Sequence, residues 1–233
     1  MALPFFYEQL ITGLHSHFTL SEETSKHCIQ VLRMKTGAGL QLTDGLGNLY
    51  KTALLSEDKK RSVVLIQEHQ VVPPPAQKTS IAISLLKNAS RFEWFLEKVT
   101  EIGVTEIQPL ISQRTEHTRF RTERMNGILA AAMLQSQQAW LPILHEPMAF
   151  ADCVKQSVWP QKLVAHCEED AKQLIKDLAP SPETQILIGP EGDFTPEEIQ
   201  LALDHHYLPV SLGDTRLRAE TAGVVASALL VNR

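Results

Sequence analysis

Pro73-Pro74-Pro75 divides this chain into two stretches whose sequence periodicities differ. Three successive prolines fix the backbone φ and remove three hydrogen-bond donors, so the run makes a semi-rigid boundary. It sets residues 1–72 apart as a small domain and residues 73–233 as a larger one. The small domain reads as short strands around one helix. Strand-like runs are Leu3–Tyr7, Leu40–Thr43, Leu49–Leu55 and Ser62–Ile66, separated by the turn signals Asp44-Gly45 and Gly47-Asn48. Ser21 before Glu22 and Glu23 predicts a helix start, with Cys28, Val31 and Leu32 on one face and Gly37 at the end.

Beyond the prolines, strands alternate with helices. Ile81–Leu86 is a nearly continuous apolar run, as in a strand covered on both faces of a parallel sheet. Ser90-Arg91-Phe92-Glu93 has the form of a capping box, and Phe92, Phe95, Val99 and Ile102 repeat at helical spacing until Gly103. Strand Glu106–Ile111, a helix over Thr122–Gln138, strand Leu163–His166 and a short helix over Ala171–Leu178 follow. Strand Gln185–Ile188 runs into Gly189-Pro190-Glu191-Gly192, and Thr195-Pro196-Glu197-Glu198 is a second capping box with proline at the first helical position. Strand Pro209–Leu212 runs into Gly213-Asp214, and a last helix covers Arg218–Val231. Such alternation predicts an α/β domain with a mainly parallel sheet.

Ligands of open α/β sheets bind outside the carboxyl ends of the strands. Ala165-His166-Cys167, Gly189–Gly192 and Leu212-Gly213-Asp214 all fall there, and glycine lets the backbone approach a ligand. Either loop alone is more often a plain turn; two of them on consecutive strands, both feeding capped or charged helices, point to a pocket. Neither GxxxxGK[ST] nor a strand-to-helix GxGxxG is present, which excludes P-loop and dinucleotide-type sites. No HExxH, no tight Cys/His cluster and no GxSxG occurs, so the sequence supports neither a metal site nor a serine elbow. Arg218, Glu220 and Thr221 crowd the first turn of a helix that is otherwise apolar, and buried charges need partners. They either pair internally, Arg218 with Glu220, or face a ligand. Cationic Arg218 at a helix N-terminus opposes the macrodipole, which favours the ligand.

The net charge of −5 excludes a globally basic nucleic-acid binder. A local basic patch suffices for RNA, and Ser112–Arg124 carries four arginines against two glutamates. A solvated loop-to-helix junction explains the same pattern. No apolar run reaches the roughly 20 residues of a membrane span, and Met1–Glu8 has no signal-peptide character. Cys28, Cys153 and Cys167 are too scattered for a disulfide framework, so a cytoplasmic protein is expected.

Ile188–Thr195, Leu212–Ala222 and Lys98–Val104 together closely resemble the bacterial 16S ribosomal RNA uridine-N3 methyltransferases of the SPOUT class, and His27–Met34 resembles that family's N-terminal signature. The resemblance spans essentially the whole chain in the right order. It implies a SPOUT-type, mainly parallel sheet with a C-terminal trefoil knot, a small β-rich PUA-like RNA-binding domain, S-adenosylmethionine as cofactor, 16S rRNA as partner and a homodimer. Carried onto this sequence, it places the cofactor against Ala165, His166, Ile188, Gly189, Pro190, Gly192, Leu212, Gly213, Leu217, Arg218, Thr221 and Ala222. Arg33, Arg91, Arg114, Arg119, Arg121 and Arg124 are the expected RNA contacts. The family's Gln-Ser-x-Arg pattern is broken here: Gln135-Ser136-Gln137-Gln138 lacks the arginine, whose role is either lost or taken by Arg114, Arg119 or Arg121.

N3-methylation of uracil builds negative charge on the flanking carbonyl oxygens, which a positioned guanidinium stabilises. Arg218 is the first catalytic candidate and Arg114 the second. Glu220 either orients Arg218 or accepts the proton, and Thr221 holds the cofactor or the base. The alternatives are a non-catalytic RNA-binding or ribosome-assembly protein and a knotted methyltransferase acting on tRNA.

Overall fold

The computed structural model describes residues 3–168 and 171–232. The chain forms two compact units: residues up to Pro74 together with Met133–Leu141, and Pro75–Ala132 together with Pro142 onward.

In the first unit, strands β1 (Phe5–Tyr7), β2 (His17–Thr19), β3 (Gly39–Thr43), β4 (Asn48–Leu54) and β5 (Val63–Val71) form one sheet in the order β1-β3-β4-β5-β2. The pairings are antiparallel except β1 with β3. Strand β5 runs five residues past the expected Ile66, and β2 was not expected. Helix α1 (Glu22–Lys26) starts at Ser21, whose Oγ accepts the Thr24 N–H. It does not continue to Gly37. A π-turn over His27–Val31 follows, closed by the Leu32 N–H donating to the His27 carbonyl at 3.0 Å. The wider turn breaks the predicted face: Cys28 is fully buried, whereas Val31 and Leu32 are exposed. Cys28 joins Leu40, Leu42, Tyr50, Leu54 and Val64 in the core of this unit.

Residues 133–141 complete the unit after the β3–β4 turn. Leu46 bridges Trp140, the Gly47 N–H donates to the Ala139 carbonyl at 2.9 Å, and Trp140 Nε1 donates to the Pro73 carbonyl at 3.1 Å. Gly47, at φ 88°, lies so close to the Trp140 ring that no side chain fits there. By packing, the first unit therefore takes in Met133–Leu141, which the expected division at residue 72 assigns to the larger domain.

The second unit contains β6 (Lys78–Ser84), α2 (Ala89–Ile102), β7 (Glu106–Ile111), α3 (Thr122–Gln135, which ends with the first unit), β8 (Ile143–Leu144), β9 (Met148–Ala149), α4 (Phe150–Gln156), β10 (Gln161–Ala165), β11 (Gln173–Leu174), β12 (Glu183–Ile188), α5 (Pro196–Asp204), β13 (Leu208–Ser211) and α6 (Ala219–Val231). Its sheet has the order β11-β13-β10-β12-β6-β7-β8, with β9 also on β7, and every pairing is parallel. Parallel strands need covering on both faces. Ala82 of β6 packs with Phe150, Val154, Ile199 and Tyr207 from α4, α5 and the following turn. Ile83, one residue on, faces α6 on the opposite side of the sheet. There a Cβ on Gly223 would stand 2.5 Å from the Phe95 ring, so glycine lets α6 approach α2. Burying Phe95 completely contributes roughly 1.5–3 kcal/mol to this layer.

Three local expectations fail here. Asn88, not Ser90, caps α2: its Oδ1 accepts the Ser90 N–H at 2.9 Å, and Glu93 pairs with Arg124 instead. An asparagine two residues upstream of the serine cap supplied an equally good acceptor. The segment 171–178 is a two-residue strand and a 3-10 turn rather than an α-helix, because β11 finds an open edge of β13. Helix α3 stops at Gln135, three residues short of the predicted Gln138. Gly103 ends α2 as expected, at φ 99°.

Candidate functional site

Strands β13, β10 and β12 are neighbours, so their carboxyl ends open together on a cavity of about 610 Å3. That lies within the roughly 300–1,000 Å3 of small-molecule sites. Strand β10 contributes Ala165 and the following His166 and Cys167; β12 contributes Ile188 and the loop Gly189, Pro190, Glu191 and Asp193. Strand β13 and the chain after it contribute Val210 to Gly213, Thr215, Arg216 and Leu217, and α6 contributes Ala219 and Ala222, with Arg218 as its N-cap.

The β12 loop is closely held. The Asp193 N–H donates to the Pro190 carbonyl at 2.9 Å, closing a turn over Glu191 and Gly192. A Cβ on Gly189 would stand 3.0 Å from the Phe194 nitrogen, which explains glycine at that position. Arg114 Nη1 donates to the Gly192 carbonyl at 2.6 Å, behind the turn, and Glu191 accepts the Lys87 N–H at 3.2 Å. Just downstream, Thr195 and Glu198 form the predicted reciprocal capping box, with Pro196 opening α5. Glu198 also accepts the Gln113 N–H at 2.8 Å.

The β13 loop is open. Its internal bonds join Ser211 Oγ and Gly213, and Gly213 takes φ 142°, where a side chain is strained. Gly213, Asp214, Thr215, Arg216 and Arg218 are all exposed. The backbone of Arg218 caps α6, and its guanidinium enters no hydrogen bond or ion pair with the described residues. An unengaged guanidinium on a cavity wall is available to carbonyl oxygens or phosphate of a ligand.

Every expected cofactor residue lines this cavity except Gly192 and Thr221. Gly192 turns toward Arg114, whose Cδ would be 3.3 Å from an added Cβ. Thr221 sits one residue off the cavity face of α6, because Arg218, Ala219 and Ala222 are the helical neighbours that point inward. Glu220 also lies off the cavity. It is buried, its Oε2 has no hydrogen-bond partner, and its Oε1 stands 3.7 Å from Arg91 Nε rather than pairing with Arg218. Cys167 and Glu191, from the strand-end segments that the sequence marks, also line the cavity, as do Lys172, Asp193, Thr215 and Arg216, which were not named as site residues. Their adjacency to the three strand ends was the available signal.

The expected RNA arginines differ in their surroundings. Arg33 follows the π-turn in left-handed backbone at φ 53° and is exposed. Arg119 and Arg121 are exposed and enter no ion pair with the described residues. Arg124 is bound by Glu93 through bonds of 2.5 and 2.8 Å, which hold the Glu93 carboxyl below its usual range. Arg91 faces Glu220 and Arg114 supports the β12 loop, so neither is as open as its sequence position suggested. At the position of the missing arginine, Gln138 Nε2 donates to Ser136 Oγ at 2.9 Å within the first unit. Burial and the Asp193 carboxylate both raise the Cys167 thiol, and burial pushes Cys153 in the core up to about 11. No group of three or more possible metal-ligating side chains occurs among the described residues, and none of their helices is long and apolar enough to cross a membrane.

Residues 73–231 match the family model of the RNA methyltransferase domain. The chain belongs to the RNA methyltransferase family. Residues 20–67 match the model of the PUA domain of RNA methyltransferases, within the first unit. A Synechocystis relative named ribosomal RNA small subunit methyltransferase E is 32% identical over 219 residues, covering 90% of this chain and 71% of the relative. A Porphyromonas gingivalis structure described as a "probable rRNA-methyltransferase" aligns with TM-score 0.89 and 34% identity, over 97% of this chain and 95% of that one. A Neisseria gonorrhoeae ribosomal RNA small subunit methyltransferase E, solved bound to S-adenosyl methionine, aligns with TM-score 0.87 and 27% identity, over 97% and 96% of the two chains.

Proposed function

We infer that this methyltransferase uses S-adenosylmethionine to methylate N3 of a uridine in the 16S rRNA of the small ribosomal subunit. The observation that carries the reading is the exposed Arg218 guanidinium on the wall of a cavity bounded by three strand ends. The cavity suits the cofactor: it has the volume of a small-molecule site, backbone groups at Ile188, Gly189, Leu212 and Leu217 to recognise adenine and ribose, and a mixed set of charges from Lys172, Asp193 and Arg216 for an amino-acid tail. When bound, the cofactor supplies an electrophilic methyl group on a sulfonium.

Arg218 donates to a uracil carbonyl oxygen as N3 loses its proton, so negative charge develops against a fixed cation. The proton leaves to water on the exposed side of the β13 loop. Glu220 is assigned a supporting role through Arg91, since it does not reach the cavity. Thr221 is a second-rank candidate on the same ground. The base must be unpaired or flipped, because pairing occupies N3. Arg33, Arg119 and Arg121 then hold RNA phosphates, with Arg91, Arg114 and Arg124 contributing only if they exchange their present partners.

The family resemblance extends the reading to a trefoil knot in the C-terminal chain, a homodimer and the cytoplasm. Support for the dimer comes from α6, where Val224, Val225, Ala228 and Leu229 are apolar and partly exposed. The deciding experiment incubates the protein with the cofactor and small subunits from a strain lacking the modification, then maps N3-methyluridine. Methylation of 16S rRNA supports the assignment. Calorimetry without S-adenosylhomocysteine binding would favour a non-catalytic RNA binder, and methylation of tRNA alone would redirect the substrate.

A further inference from the structure

Among the described non-glycine residues at positive φ, Asp193 is the one that lines the cavity. Its φ of 63° is tolerated by aspartate better than by most residues, but it still costs energy that something must offset. The offset is visible. Asp193 Oδ2 accepts the Cys167 N–H at 2.7 Å, and Oδ1 accepts the Phe194 N–H at 2.8 Å. Cys167 belongs to the chain leaving β10, and Asp193 to the loop leaving β12. One carboxylate therefore ties two cavity walls together, with charge-assisted bonds to backbone donors. Gly189 makes room for it, since an added Cβ there would stand 3.1 Å from Asp193 Oδ1.

We propose that Asp193 is a positioning residue for the cofactor, locking the Ala165–Cys167 segment against the Gly189–Gly192 turn before the cofactor arrives. The inference rests on the reading that this cavity holds S-adenosylmethionine. Pre-ordered walls need not be ordered at the cost of binding energy, so the lock acts on affinity rather than on the chemical step. Both oxygens of Asp193 are acceptors. Asparagine would turn an NH2 group toward one of the two N–H donors, so it replaces the lock only in part.

Asp193→Gly tests this cleanly, because glycine adopts the same φ without strain and removes only the carboxylate. Asp193→Asn keeps the shape and guards against a folding defect. Ala222→Leu, which fills the cavity from α6, reports whether the cavity holds the cofactor at all. In calorimetry the dissociation constant of S-adenosylhomocysteine rises roughly tenfold in Asp193→Gly and less in Asp193→Asn. The KM for S-adenosylmethionine rises in parallel, while kcat at saturating cofactor stays within roughly twofold. Unchanged affinity in Asp193→Gly beside lost affinity in Ala222→Leu overturns the role of Asp193. A fall in kcat with unchanged KM overturns it too. Unchanged affinity in Ala222→Leu removes the cofactor from this cavity, which is a failure of the functional reading itself.

Discussion

The two glycine loops that wall the cavity look alike in sequence and differ in physics. The loop after β12 is held from several sides: Asp193 reaches the β10 end, Arg114 donates to the Gly192 carbonyl, and Glu191 accepts from Lys87. Among the described residues, the loop after β13 is held by the local bonds of Ser211 with Gly213, and it carries Arg216 and Arg218 into solvent. Fixing backbone costs conformational entropy, so a wall that must present amides and carbonyls in register benefits from being fixed in advance. Side chains that must meet a flipped base and its phosphates benefit from remaining unengaged. In the proposed function, one loop builds the site and the other acts in it.

The largest expected effect falls on the acting loop. Arg218→Ala lowers kcat on small subunits by roughly a hundredfold to a thousandfold, as for other removed charge-stabilising donors, and leaves S-adenosylhomocysteine affinity within a few-fold. Near-normal turnover would remove Arg218 from the chemistry and erase the division of labour. On the building loop, Gly189→Ala forces a Cβ to 3.0 Å from the Phe194 nitrogen. It costs roughly 1–3 kcal/mol of stability by overpacking and weakens cofactor binding, read by thermal melting and calorimetry. A variant that melts and binds normally would mean that the loop relaxes more freely than its bonds imply.

Arg114→Ala should be milder. Its guanidinium is partly exposed, so the loss is about 1 kcal/mol, a few degrees in Tm, with no change in the salt dependence of RNA binding. A reduced salt slope would return Arg114 to the RNA surface. The smallest effect is chemical. Cys28 and Cys153 are buried with thiols raised to about 11, whereas Cys167 is exposed on the cavity. At pH 8 the native protein should titrate one thiol well ahead of the other two, at a rate held down by its own raised pKa, and S-adenosylhomocysteine should slow it further. Three rapid thiols would contradict the packing. Because the two buried thiols are raised from 9.0, the stability they contribute is fully present below pH 9 and is lost as pH rises toward 11.

Much of the architecture was legible because it rests on periodicity. Glu106–Ile111 and the capped α5 fall where the sequence places them, and the buried run Ile81–Leu86 begins inside β6. Short elements were not legible: β2, β8, β9 and β11 are two or three residues long, and α4 has no side-chain cap bond to announce it. Nor was the π-turn at His27–Val31, since a five-residue departure from α spacing leaves no periodic trace. The site showed the same division. Glycines at strand ends marked both loops, but the direction of Glu220 toward Arg91 and of Gly192 toward Arg114 depends on which elements lie beside them.

The sequence by itself determined the alternation of strands and helices, the parallel sheet, the three strand ends that meet in one cavity, and the family to which the motifs point. Those follow from side-chain period and from the backbone freedom of glycine, which are local properties. Only the tertiary structure decided that residues 133–141 pack with the first unit, that Glu220 turns to Arg91 off the cavity, and that Asp193 ties one wall to the next. Each of these depends on partners 26 or more residues away, as in the Cys167–Asp193 bond, and a helix or strand pattern carries no information about its neighbour across such a gap.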